Sequence, residues 1–104
     1  MKNILQDEWV SLLEEKSDKI ILDVRTPQEY QSGIQPNAIN LDIFDTERFL
    51  SEIDKYDRDK AYFVYCRSGG RSGQACSILE SKGFKETYNL IGGMMEWQGD
   101  IVRP

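Results

Sequence analysis

The stretch AYFVYCRSGGRS, residues 61–72, decides the fold of this chain. Its first six residues are aromatic, β-branched or small, and none is charged. That is the signature of a strand buried on both faces. Cys66 ends the run. Arg67, Ser68, Gly69, Gly70 and Arg71 follow, and a helical pattern, SGQACSILESKGF, is expected from about Arg71 or Ser72 with Gly83 just past its end. A buried strand that turns tightly into a helix belongs to a parallel α/β sheet. Such sheets bind ligands beyond the carboxyl ends of their strands, where Cys66 lies.

The flanks repeat the alternation. WVSLLEE spaces Trp9, Leu12 and Leu13 as one helix face, and KIILDV reads as a buried strand. TPQEY opens a helix, with Thr26 as N-cap, Pro27 at the first helical position and Glu29 completing a capping box. Residues 33–38 form a loop, and AINL is a short strand. Asp45 caps a helix that places Phe49, Leu50 and Ile53 on one side, TYNL is a last strand, and GGMMEW turns into a final helical turn. The predicted fold is α/β in one domain, residues 1–104. It has a central parallel sheet of about five short strands with helices on both faces.

Composition narrows the chemistry. A net charge of -5 argues against nucleic-acid and anionic-membrane partners. No apolar run is long enough to span a bilayer or act as a signal peptide, so a cytoplasmic protein is expected. Two cysteines, Cys66 and Cys76, make neither a disulfide framework nor a metal quartet, and neither a metal nor an organic cofactor is expected. With no histidine in the chain, chemistry must proceed without imidazole.

The cysteine loop supplies such chemistry. Gly69 and Gly70 allow positive φ, so successive N–H groups can converge on an anion. A helix start adds its positive dipole end, and Arg67 and Arg71 add full charges. All favour thiolate, the nucleophilic form of cysteine. Cys66 is the candidate nucleophile, and Arg67, Ser68, Gly69, Gly70 and Arg71 are candidate binding residues for an anion. Arg71 has a second reading, as a brace salt-bridged to an acid, and Ser72 reads equally as sulfur ligand or helix cap. Cys76, one turn and more into the helix, reads as core. Asp23 and Arg25 read as structural, on opposite faces of their strand, Asp23 bonding loop backbone near the site and Arg25 pairing with Glu29. Trp97 reads as core, and one of Met94 and Met95 as core or pocket wall.

CRSGGRS after a hydrophobic strand, LDVRTPQEY upstream and LIGGMMEW downstream together resemble a single-domain rhodanese, over nearly the whole chain. The resemblance implies a rhodanese-like sulfurtransferase fold with Cys66 cycling between thiol and persulfide. It implies a small anionic sulfur donor such as thiosulfate, and a thiol, partner protein or cyanide as acceptor. A monomer is expected. One departure is GIQPNA at residues 33–38, where the family commonly has GHIPGA: the histidine is missing and Asn37 replaces a glycine. Cysteine phosphatases related by fold carry five residues between cysteine and arginine. Here four separate Cys66 from Arg71, which disfavours phosphatase and arsenate reductase activity. A sulfur-relay carrier and a non-catalytic interaction module are the remaining alternatives.

Overall fold

The computed structural model describes residues 1–104. Along the chain come β1 (Lys2–Ile4), α1 (Gln6–Glu15), β2 (Lys19–Asp23), α2 (Pro27–Gln31), β3 (Ile39–Asn40), α3 (Thr46–Ile53), β4 (Ala61–Tyr65), α4 (Gly70–Ser81), β5 (Glu86–Leu90) and α5 (Gly93–Glu96). The strands form one sheet in the order β1-β5-β4-β2-β3, and every pairing is parallel. β4, the most apolar strand in the sequence, takes the centre. Both of its neighbours satisfy its backbone, so its side chains can be buried on both faces.

Strand alternation sorts β4 into two cores. Tyr62, Val64 and Cys66 pack with Phe49 and Ile53 of α3 and with Ala75, Cys76 and Leu79 of α4. Ala61, Phe63 and Tyr65 pack on the other face with Trp9 of α1 and Tyr88 of β5. Trp9 meets Phe63 edge-on at a centroid separation of 5.3 Å. Truncating a fully buried ring such as Phe63 to Ala costs about 3–5 kcal/mol. The helices therefore cover both faces, and Cys66 projects from the α3/α4 side.

Sequence and structure part at three places. β1 was not anticipated: three residues are too few to show a period, and Lys2–Ile4 becomes a strand by pairing with Tyr88–Leu90. α4 begins at Gly70, earlier than expected, because Gly69 serves as its N-cap. Trp97 is only half-buried against the second core, and the central tryptophan is Trp9.

The capping box at α2 is present as expected. Thr26 Oγ1 accepts from Glu29 N, and the Glu29 carboxylate accepts from Thr26 N. In the 33–38 loop Asn37 has φ +69°, the one non-glycine in the left-handed region. Asparagine tolerates that region better than other side chains, so it can stand where a glycine is usual. No helix is long and apolar enough to cross a membrane.

Candidate active site

Cys66 follows the last residue of β4 and is 1 % exposed. The chain then reverses through Gly69, at φ +109°, whose missing Cβ would stand 3.3 Å from the Leu90 carbonyl. Both conformation and space call for glycine there. Gly70 differs: its φ is not positive and a Cβ would meet nothing within 4 Å. Of the two glycines, only Gly69 makes the turn.

The turn folds the start of α4 over the sulfur. Gly69 N donates to Cys66 Sγ at 3.0 Å, and Ser72 Oγ lies 3.4 Å from Sγ. Burial pushes the Cys66 thiol up. The Ser72 hydroxyl and the backbone N–H groups of Ser72, Gly69 and Ser68 outweigh it, so the thiol sits below its ordinary range. Cys76 has burial without that compensation and is pushed up to about 12. It is a free, buried thiol in the α3/α4 core.

The two arginines of the loop have separate roles. Arg71 donates to Glu29 through Nη1 at 2.7 Å and Nη2 at 2.9 Å, and its guanidinium lies 5.3 Å from the Phe44 ring centroid. Its charge is thus committed to bracing the loop against α2. Hydrogen bonds from Arg71 above all hold the Glu29 carboxyl down to about 2. Arg67 is exposed and forms no ion pair. Ser68 is also exposed and contributes through its backbone N–H.

Asp23 and Arg25 depart from the sequence reading. Two residues apart on an extended segment, they share a face rather than opposing one another. The buried Asp23 carboxylate accepts from Arg25 N, Nε and Nη2, the last at 2.6 Å, and Arg25 Nη2 also donates to the Gly33 carbonyl at 2.8 Å. Arg25 therefore pairs with Asp23, and Asp23 holds Arg25 instead of the cysteine loop. Glu29 is left for Arg71.

Asn89 on β5 was not singled out from the sequence. Its Nδ2 donates to Asn3 Oδ1 at 2.9 Å and to the Gly69 carbonyl at 3.1 Å, and its Oδ1 accepts from Ser72 Oγ. One buried amide thus fixes two of the three residues that support the sulfur, Gly69 and Ser72. The only trace in the sequence was a polar residue in an otherwise apolar strand end. Met94 N and Met95 N donate to the carbonyls of Cys66 and Arg67 at 3.0 and 2.9 Å. Both methionines line a cleft of about 250 Å³ together with Arg25, Glu29, Ser32 and Arg67.

Comparison with known proteins agrees with this architecture. Residues 5–100 match the family model described as Rhodanese-like domain. A protein named sulfurtransferase from Allochromatium vinosum is 40% identical over 98 residues, covering 93% of this chain and 89% of the relative. The crystal structure of a rhodanese-like domain protein from Staphylococcus aureus superposes with a TM-score of 0.83 at 30% identity, covering 100% of this chain and 99% of that one. A structure titled rhodanese with anions from E. coli has a TM-score of 0.67 at 31% identity, covering 83% of this chain and 99% of that one.

Proposed function

Because the chain belongs to the rhodanese-like domain family, we propose that it is a sulfurtransferase that carries sulfur as a persulfide on Cys66. One observation carries the reading: a cysteine sulfur at the start of α4, 3.0 Å from the Gly69 N–H and 3.4 Å from the Ser72 hydroxyl. A relative named sulfurtransferase supports it.

The cycle has two displacements. The Cys66 thiolate attacks the outer sulfur of thiosulfate, forming a sulfur–sulfur bond. The donor's own sulfur–sulfur bond breaks, its electron pair leaves with sulfite, and Cys66 holds an anionic persulfide. An acceptor thiolate or cyanide then attacks the terminal sulfur. Cys66 leaves as thiolate, and the acceptor departs as a persulfide or thiocyanate. The backbone N–H groups over the sulfur stabilise its negative charge in both states. Arg67, exposed and without a carboxylate partner, draws the anionic donor in. Arg71 holds the loop's shape through Glu29.

Intact-protein mass after incubation with thiosulfate tests the cycle. The expected gain is one sulfur atom, about 32 Da, removable by cyanide and absent in Cys66→Ala. No gain with thiosulfate, and none with a persulfidated protein donor, would leave the fold without this function.

A further inference from the structure

Three residues with exposed apolar side chains border the cysteine loop, one from the β3–α3 connection and two from the segment after β5. Phe44, 68 % exposed, follows β3 and lies against Arg71. Ile91, 44 % exposed, follows β5, and its backbone abuts Gly69. Met95, 64 % exposed, is in α5 and bonds through its N–H to the Arg67 carbonyl. Chain connectivity does not require Phe44 to border the same loop as Ile91 and Met95, since it follows β3 and they follow β5. An inorganic anion gains nothing from such a collar, whereas apolar residues gathered around a polar mouth are the anatomy of a protein interface.

Charge selects the occupant. The chain is net negative, yet the cations at this mouth are unequal. Arg71 is neutralised by Glu29 and Arg25 by Asp23. Arg67 alone is exposed and unpaired, and with Met95 it lines the cleft beside α2. A partner that buries the collar must answer that single positive charge or pay its desolvation.

Building on the persulfide cycle, we propose that the sulfur acceptor is a protein that presents its cysteine on a protruding segment, with an apolar residue and a carboxylate beside the thiol. Phe44, Ile91 and Met95 receive the apolar residue, and Arg67 receives the carboxylate. Phe44 and Met95 act as specificity residues for the second half-reaction only, because the donor is small and anionic.

The test uses the full chain loaded with sulfur by thiosulfate and freed of excess donor. Its persulfide is discharged into two synthetic cysteine peptides, one flanked by leucine and aspartate and the other by serine and lysine, and into cyanide. Each rate is taken as the ratio of wild type to variant, which cancels the intrinsic reactivity of each thiol. In Phe44→Ser/Met95→Ser the acidic apolar peptide should react about tenfold more slowly, with cyanide discharge unchanged. Arg67→Glu, which should load more slowly and is therefore incubated with thiosulfate until its mass shows the same sulfur content as wild type, should reverse the preference between the peptides. Equal ratios for both peptides in every variant would overturn the docking surface while leaving the persulfide cycle standing. Failure of the wild type to load sulfur at all would overturn the cycle, and the acceptor surface with it.

Discussion

Arg71 grips Glu29 with two parallel hydrogen bonds, at 2.7 and 2.9 Å, across a gap of 42 residues in the chain. The same carboxylate completes the capping box of α2. One side chain therefore ends a helix and anchors the cysteine loop.

Loss of that carboxylate should be felt in acid. Glu29 titrates at about 2 in the fold against an ordinary 4.5, so its contribution is complete above about 4.5 and disappears as pH falls through about 2. The pair is partly exposed, which limits it to about 1 kcal/mol. Glu29→Gln should lower the midpoint of thermal unfolding at neutral pH by about 4–8 °C. Below pH 3 the gap between variant and wild type should narrow. A gap that stays constant from neutral pH into acid would assign the stability to packing instead.

The two cysteines should separate by titration. Ultraviolet thiolate absorbance of the native protein should show one thiol ionising below the ordinary range and one far above it. Cys66→Ser should remove the first. Ser72→Ala should move it upward, because it removes a hydroxyl that divides its one proton between Asn89 Oδ1 and the sulfur and so favours the thiolate. An unmoved curve in Ser72→Ala would restrict the sulfur's support to backbone N–H groups.

Asn89→Ala should cost about 1–3 kcal/mol in urea denaturation, since it strips hydrogen-bond partners from Asn3, Gly69 and Ser72. It should also slow sulfur loading by roughly tenfold or more, because Gly69 and Ser72 lose the group that sets their distance to the sulfur. Loading at the wild-type rate in a destabilised variant would make Asn89 a purely structural residue.

Two glycines of positive φ should respond unequally to alanine. At Gly93, φ +51°, a Cβ would stand 2.6 Å from the Arg67 carbonyl carbon, an overlap of backbone with backbone. At Gly83, φ +90°, a Cβ would meet nothing within 4 Å. Gly83→Ala should cost about 1–2 kcal/mol of conformational strain, and Gly93→Ala clearly more, with loss of sulfur loading. Chemical denaturation of both variants measures the contrast.

What could be read in advance follows from where the information resides. The strand running into Cys66 and the Thr26–Glu29 capping box are local patterns and appear as read, while the glycine turn uses Gly69 alone of the two glycines expected to make it. The partners of Arg71 and Arg25 are not local. Charge type alone allowed Glu29 to either arginine, and only the packing of α2 against the start of α4 assigns it to Arg71. β1 was invisible because its strand character comes from Tyr88–Leu90 rather than from its own three residues. Asn89 was overlooked for a similar reason: its importance lies in three partners scattered from Asn3 to Ser72, and none of them marks the strand that carries it.

The orientation of the loop's peptides has a chemical consequence. The carbonyls of Cys66, Arg67 and Gly69 are bound by Met94, Met95, Asn89 and Gly73, while the N–H groups turn toward the sulfur. The sulfur thus faces proton donors, and Glu29, the one carboxylate lining the cleft beside the loop, is held by Arg71. Such a chamber can shelter an anion but has no base with which to ionise a visitor. In the proposed cycle an accepting thiol must shed its proton before it enters. The second half-reaction should therefore quicken with pH through the acceptor's own ionisation, and the clock of turnover would be set by the partner rather than by this protein.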